Sequence, residues 1–301
     1  MLASSSAPAG APAGAPARRR PALSPSRAAD FKQCPLLYRF RAVDRLPETP
    51  SRVQVRGTVV HAVLEQLFGL APDQRNREVG RGLVDPVWRD VLAGSPELAE
   101  LFAGPGDPEL AEWLESARAL VEAYFALENP RLVAPEACEL LVEAELPTTG
   151  GEALLLRGYI DRLDVAPTGE IRVVDYKSGA APREVFEAKA LFQMKFYALV
   201  LLRIRGVVPR QLRLMYLADR QALSYHPDEE ELVRFERTLG AIWSAILRAA
   251  HNGDFRPNPS RMCDWCDHKP RCPAFGGTPP PYPGWPDPTG AGTETARDRA
   301  E

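Results

Sequence analysis

Two alternating segments, Leu154–Ala166 and Glu170–Tyr176, flank the tripeptide Pro167-Thr168-Gly169, and no other feature constrains the fold of this chain as tightly. A short Pro/Gly loop between alternating segments specifies a β-hairpin. With the turn centred on Thr168, Ala166 opposes Glu170, Asp164 opposes Arg172, and Asp161 opposes Asp175. Directly opposed side chains have Cβ atoms ~5 Å apart, so two aspartates there repel unless positive charge lies between them. Strand alternation places Asp161, Leu163, Val165, Ile171, Val173, Asp175 and Lys177 on one face. That face is apolar near the turn and acidic, with one lysine, at its far end, as expected of a core-facing surface that opens into a polar site. A divalent cation such as Mg²⁺ binds carboxylates together with water and phosphate oxygens. It would relieve the repulsion and activate a water for attack on phosphorus. Lys177 would orient that water or stabilise the charge of the transition state. A surface hairpin with scattered charges and a register shifted by one residue is the alternative at this level.

The flanking periodicities predict helices over about 24–33, 57–70, 74–92 and 107–128, then a strand over Glu136–Leu146 ahead of the hairpin. A helix over about 187–205, a strand pair over 210–226 and a helix over 228–251 follow. Ser24-Pro25 reads as an N-cap followed by proline in the first turn. Helices first, then three strands, then helix and strands again, predict an α/β fold with a mixed central sheet flanked by helices.

The 301 residues are 45% hydrophobic and 26% charged, which is ordinary globular material. No apolar run approaches the ~20 residues that cross a bilayer, and the N-terminus lacks the apolar core of a secretory signal, so no membrane association is expected and a cytoplasmic location is. Residues 1–21 and 277–301 are rich in Pro, Gly and Ala and read as unstructured tails. The net charge of −3 advertises no nucleic acid, but residues 18–56 hold ten Lys/Arg against three Asp/Glu, and residues 73–152 hold six against seventeen. A local basic surface beside an acidic lobe is therefore allowed, as are ordinary solvated helix faces. Five Lys against 32 Arg reads as high-GC coding bias, so the arginine count carries little functional weight.

Four short motifs, taken in order, resemble a known family. Gly158-Tyr159-Ile160-Asp161-Arg162 and Asp175-Tyr176-Lys177-Ser178-Gly179 look like the core of the PD-(D/E)XK nucleases in their RecB-like branch. Gly57-Thr58-Val59-Val60-His61 resembles the helix that contributes a histidine to the metal site of that branch, and Gln193-Met194-Lys195-Phe196-Tyr197 resembles its Gln-x-x-x-Tyr motif. The proline that names the superfamily is absent, since Ile160 precedes Asp161 and Val174 precedes Asp175; the RecB-like branch commonly lacks it. The resemblance implies a restriction-endonuclease-like core. It implies His61, Asp161, Asp175 and the Tyr176 backbone carbonyl as ligands of Mg²⁺ or Mn²⁺, Lys177 as the catalytic lysine, and Gln193 and Tyr197 lining the site or holding the DNA strand. Tyr197 as a plain core residue is the bland alternative. Glu65, one turn after His61, is either its hydrogen-bond partner or an exposed salt-bridge residue.

Cys263-x2-Cys266-x5-Cys272 is a ligand-like triplet that needs a fourth donor. Cys138 sits in an apolar strand, where cysteine serves as a small hydrophobe; Cys34 sits at a helix end before Pro35 and is the better ligand. Four thiolates suit Zn²⁺ and a [4Fe–4S] cluster equally. The family resemblance points to the cluster, as in the AddB nuclease domain and the CRISPR-associated adaptation nucleases. Such a centre would join the chain ends across the 228 residues between Cys34 and Cys263. His268 is a weaker candidate donor for a zinc site.

The expected organisation is a nuclease domain over 22–276, with a helical insertion at about 72–130 and a cluster segment at about 255–276 joined by Cys34. The expected activity is metal-dependent hydrolysis of DNA phosphodiester bonds in repair or recombination, by an exonuclease acting on ends or single strands. No G-x-x-x-x-G-K-[ST] motif is present, so any unwinding falls to a partner such as a helicase or another repair protein. Rival readings are a non-catalytic nucleic-acid-binding module of the same fold and a zinc-stabilised interaction protein.

Overall fold

A computed structural model describes residues 20–104, 106–148, 153–181 and 187–285. Of the expected tails, 1–19 and 286–301 lie outside the described residues.

The hairpin forms as the turn chemistry dictates. Strands β3 (Leu154–Val165) and β4 (Ile171–Lys177) pair antiparallel with Arg162 opposite Val174 and Val165 opposite Ile171. The turn is closed by Ala166 N–H to Glu170 O at 2.9 Å and Gly169 N–H to Ala166 O at 2.8 Å. Strand β2 (Pro135–Leu146) runs antiparallel along β3, and the short β1 (Ala22–Leu23), unforeseen from the sequence, pairs parallel with Leu155 and Leu156. Strand β5 (Gln211–Tyr216) pairs parallel with β4, and β6 (Gln221–Tyr225) antiparallel with β5. Parallel neighbours need a crossover, and α7 (Glu187–Arg205) supplies it between β4 and β5. The result is a six-stranded mixed sheet.

Each sheet face carries its own apolar layer. Leu163, Ile171, Val173, Leu212 and Leu214 pack with α1 (Pro25–Gln33), α2 (Pro35–Tyr38), α7 and α8 (Glu229–Asn252). Val174, Tyr176 and Met215 pack with α3 (Arg52–Gly69), α4 (Arg77–Gly82), α5 (Val84–Gly94) and α6 (Pro108–Leu127). This is the α/β fold, a mixed central sheet flanked by helices, expected from the element order.

Three local expectations are revised. Helix α3 begins at Arg52, ahead of Gly57, because Ser51 and Gln54 form a capping box. The single helix expected over 74–92 is broken into α4 and α5 at Leu83. Residues 277–285 are no loose tail: Tyr282 donates its hydroxyl to Ala250 O at 2.9 Å, Arg39 reaches Pro280 O, and Trp285 packs on Trp243 with ring centroids 5.8 Å apart. The apolar face of α8 offers these aromatics a docking surface that their own proline-rich context does not reveal.

No helix among the described residues is long and apolar enough to cross a membrane.

Candidate active site

The site lies where the hairpin stops being a hairpin. The β3–β4 ladder ends at Arg162 and Val174, so Asp161 and Asp175 do not complete the pair that the register projects. Alternation also slips here. Ile160 and Leu163, three residues apart, both face the first core, whereas Arg162 turns to the opposite side, where its guanidinium lies over Phe68. Asp161 therefore leaves the single face predicted for it. Its Oδ2 accepts a hydrogen bond from the Tyr176 N–H at 2.7 Å.

Helix α3 delivers His61. A Cβ on Gly57 would stand 3.2 Å from Ser178 Oγ, so glycine allows the helix to lie against the end of β4. One turn later His61 Nε2 stands 2.9 Å from the Tyr176 carbonyl oxygen, and Nδ1 stands 3.5 Å from Asp161 Oδ2 and 4.0 Å from Glu139 Oε1. Both imidazole nitrogens are thus engaged, while Glu65 is exposed, which favours the surface reading of Glu65 over a partner role.

Asp175 is 1% exposed and has the Lys177 ammonium 2.7 Å from Oδ2, with no well-directed hydrogen bond to that oxygen. Burial raises the Asp175 carboxyl above its ordinary range against the pull of Lys177, and Asp161 raises it further. Burial pushes the Lys177 amine down, but Asp175 and Asp161 outweigh it and leave it above the ordinary lysine value. Lys177 also donates to Gln193 Oε1 at 2.8 Å, and Gln193 Nε2 donates to the Tyr197 hydroxyl at 3.2 Å. Tyr197 is 3% exposed, so it belongs to the core and reaches the site through Gln193. A Cβ on Gly158 would meet Tyr197 Cε1 at 2.8 Å, which explains why the strand carries glycine beneath that ring.

Two participants were missed in the sequence. Glu139 on β2 joins His61 and Asp161 in the one group of three or more such residues, among those described, whose candidate ligand atoms all lie within 4.8 Å of one another. Burial, Asp161, Glu65 and Asp175 push its carboxyl up to about 8. No local pattern marks it, because it sits in an ordinary-looking strand. Arg162 is the second. It is fully buried, bonded to Glu128 at 2.6 and 3.0 Å, to Asp164 at 2.9 and 3.1 Å and to the Tyr176 hydroxyl at 2.8 Å. An arginine in an apolar strand segment was its available signal. It clamps the tyrosine whose backbone the site uses.

The residues fit a divalent cation. Ligand atoms of an imidazole and two carboxylates lie within 4.8 Å of one another, the Tyr176 carbonyl faces the other imidazole nitrogen, and the neighbouring buried Asp175 is held by the Lys177 ammonium. A family sequence model described as the PD-(D/E)XK nuclease superfamily matches residues 22–273, spanning every element of this site. The chain belongs to that superfamily. The Gene 69 protein of Mycobacterium phage D29 is 28% identical over 284 residues, covering 85% of this chain and 97% of the relative. Its counterpart in phage L5 is 23% identical over 288 residues with the same coverage. A crystal structure from Eubacterium rectale, described as a candidate exonuclease, superposes with a TM-score of 0.53 at 15% identity, covering 82% of this chain and 87% of that one, and so shares the fold.

In this PD-(D/E)XK chain four of the five cysteines come together away from that site. Cys34, Cys263, Cys266 and Cys272 line one cavity between α2 and the segment after α8. Asn258 N–H points at Cys34 Sγ at 3.4 Å and Ser260 N–H at Cys263 Sγ at 3.3 Å. Cys138 instead packs against the second core, where burial pushes its thiol up to about 11. His268 does not line that cavity. It is 1% exposed, its Nε2 lies 2.9 Å from Glu48 Oε1, and its ring packs on Phe40 at 5.2 Å. Burial raises the Glu48 carboxyl, but His268 and Arg41 outweigh it and bring it down to about 2.

Proposed function

We propose that this chain is a divalent-cation-dependent deoxyribonuclease of the RecB-like branch, an exonuclease acting on DNA ends or single strands in repair or recombination. The observation that carries this reading is the convergence of His61, Asp161 and the Tyr176 carbonyl beside the Asp175–Lys177 pair, within a family match that spans all of them. His61, Asp161, Asp175 and the Tyr176 carbonyl would hold Mg²⁺ or Mn²⁺. The cation supplies positive charge at the scissile phosphate and acidifies a water. Lys177, steered by Gln193, holds its ammonium where it stabilises the charge that builds on phosphorus. Tyr197 fixes Gln193 from behind. Preference for ends over internal sites follows the family resemblance, as does a partner that unwinds DNA.

The same resemblance assigns Cys34, Cys263, Cys266 and Cys272 to a [4Fe–4S] cluster. One observation supports a thiolate-bound centre there: backbone N–H groups point at the Cys34 and Cys263 sulfurs, a feature that tunes such clusters.

Digestion of end-labelled linear and circular DNA, single- and double-stranded, with Mg²⁺ or Mn²⁺ tests the activity. Cleavage of linear substrates that is lost in Lys177→Ala, with DNA binding retained, is expected. Cation-independent cutting, or full activity in that variant, overturns the assignment. Anaerobic purification should give a brown protein containing iron and labile sulfide; a colourless zinc protein excludes the cluster.

A further inference from the structure

We propose that Glu139 is a protein ligand of the divalent-cation site, a carboxylate supplied by β2 in addition to those of the hairpin. This rests on the cation site described above.

The argument starts from the backbone. Strand β2 pairs with β3 in one register from Leu146 opposite Leu154 to Leu140 opposite Ile160, and the same register resumes at Cys138 opposite Arg162 and Ala137 opposite Leu163. Glu139 and Asp161, which should face each other, both drop out of the ladder. Glu139 has φ 47°, a left-handed conformation that a non-glycine residue adopts only at a cost. The slip is visible on both strands: Leu140 and Val142 pack on the first core whereas Cys138 packs on the second, just as Ile160 and Arg162 diverge on β3. Two strands thus break phase at the same level, and the released side chains converge with His61.

Lys177, the neighbouring ammonium, is engaged with Asp175 and Gln193 and does not bridge this pair of carboxylates. Two carboxylates and an imidazole from three different elements, α3, β2 and β3, have ligand atoms within 4.8 Å of one another. Such apposed carboxylates repel unless an ion sits between them, and a cation of the Mg²⁺ or Mn²⁺ class accepts oxygen and imidazole donors of this kind. Asp175, 1% exposed, lies beside them with its Oδ2 2.7 Å from the Lys177 ammonium. A carboxylate kept only for fold stability would not be seated on strained backbone opposite another carboxylate.

The test is Mn²⁺ binding to the full-length protein, read by isothermal titration calorimetry and by loss of the free-Mn²⁺ paramagnetic resonance signal, alongside the Tm of the metal-free protein. Glu139→Gln should weaken Mn²⁺ binding at least tenfold while leaving the metal-free Tm equal to or above that of the wild type, because one of two apposed charges is gone. Glu139→Gly, which suits the positive φ, serves as a second variant with the same expectation. Mn²⁺ affinity within twofold of the wild type in both variants, with binding lost in Asp161→Asn, overturns the role of Glu139 and leaves the cation site standing. Mn²⁺ binding that survives Asp161→Asn and His61→Ala removes the cation site itself, and this inference with it.

Discussion

Asp161 Oδ2 accepts the Tyr176 N–H at 2.7 Å across the point where β3 and β4 part. A side chain here replaces a missing ladder bond, and the same carboxylate faces His61. The two roles separate by substitution. Asp161→Asn keeps an acceptor for Tyr176 and should fold with near wild-type stability while losing Mn²⁺ binding and cleavage. Asp161→Ala loses the acceptor as well and should cost a further 1–3 kcal/mol or so, since a buried donor is left unpaired. Denaturant midpoints and Mn²⁺ titrations of the two variants check this.

Gly158 lies directly under the Tyr197 ring, where an added Cβ would approach to 2.8 Å. Gly158→Ala should destabilise the protein by about 1–3 kcal/mol through overpacking. Because Tyr197 holds Gln193 and Gln193 holds Lys177, kcat should fall more than DNA affinity changes. Paired measurements of Tm, kcat and DNA binding decide it.

Removing the Arg162 guanidinium leaves the interior Glu128 and Asp164 with the partly exposed Arg172 as their remaining cation. Arg162→Met should cost about 1–3 kcal/mol, below the full scale for breaking a buried ion pair from one side. Urea unfolding reads the loss directly, and a cost below 1 kcal/mol would contradict the clamp.

Glu48 gives the cysteine segment a pH dependence. Its carboxyl is near 2 in the folded protein and near its ordinary value when unfolded. A depressed carboxylate contributes stability above the unfolded value and loses it as pH falls toward the folded one. Wild type should therefore be more stable than Glu48→Gln at neutral pH, and the difference should shrink between about pH 4.5 and pH 2. Thermal melts across that range test the sign.

The sequence determined this protein's local geometry. Pro167-Thr168-Gly169 set the register of β3 against β4, apolar spacing set α3 so that His61 lies on a definite face, and Gln193 and Tyr197 sit four residues apart on one helix. These are properties of short segments, governed by turn chemistry and by periods of two and 3.6. The four cysteines were likewise legible as a set, since spacing and loop setting separate Cys34 from Cys138. Only the tertiary structure decided which carboxylates meet. Glu139 and Asp161 leave their strands' alternation together, and no rule of period two predicts a slip that depends on a neighbouring strand and on where α3 docks. Arg162, His268 and residues 277–285 follow the same logic: their partners, Glu128, Glu48 and the α8 surface, are distant in the chain. Local pattern fixes which way a residue can point, and long-range packing chooses what it finds there.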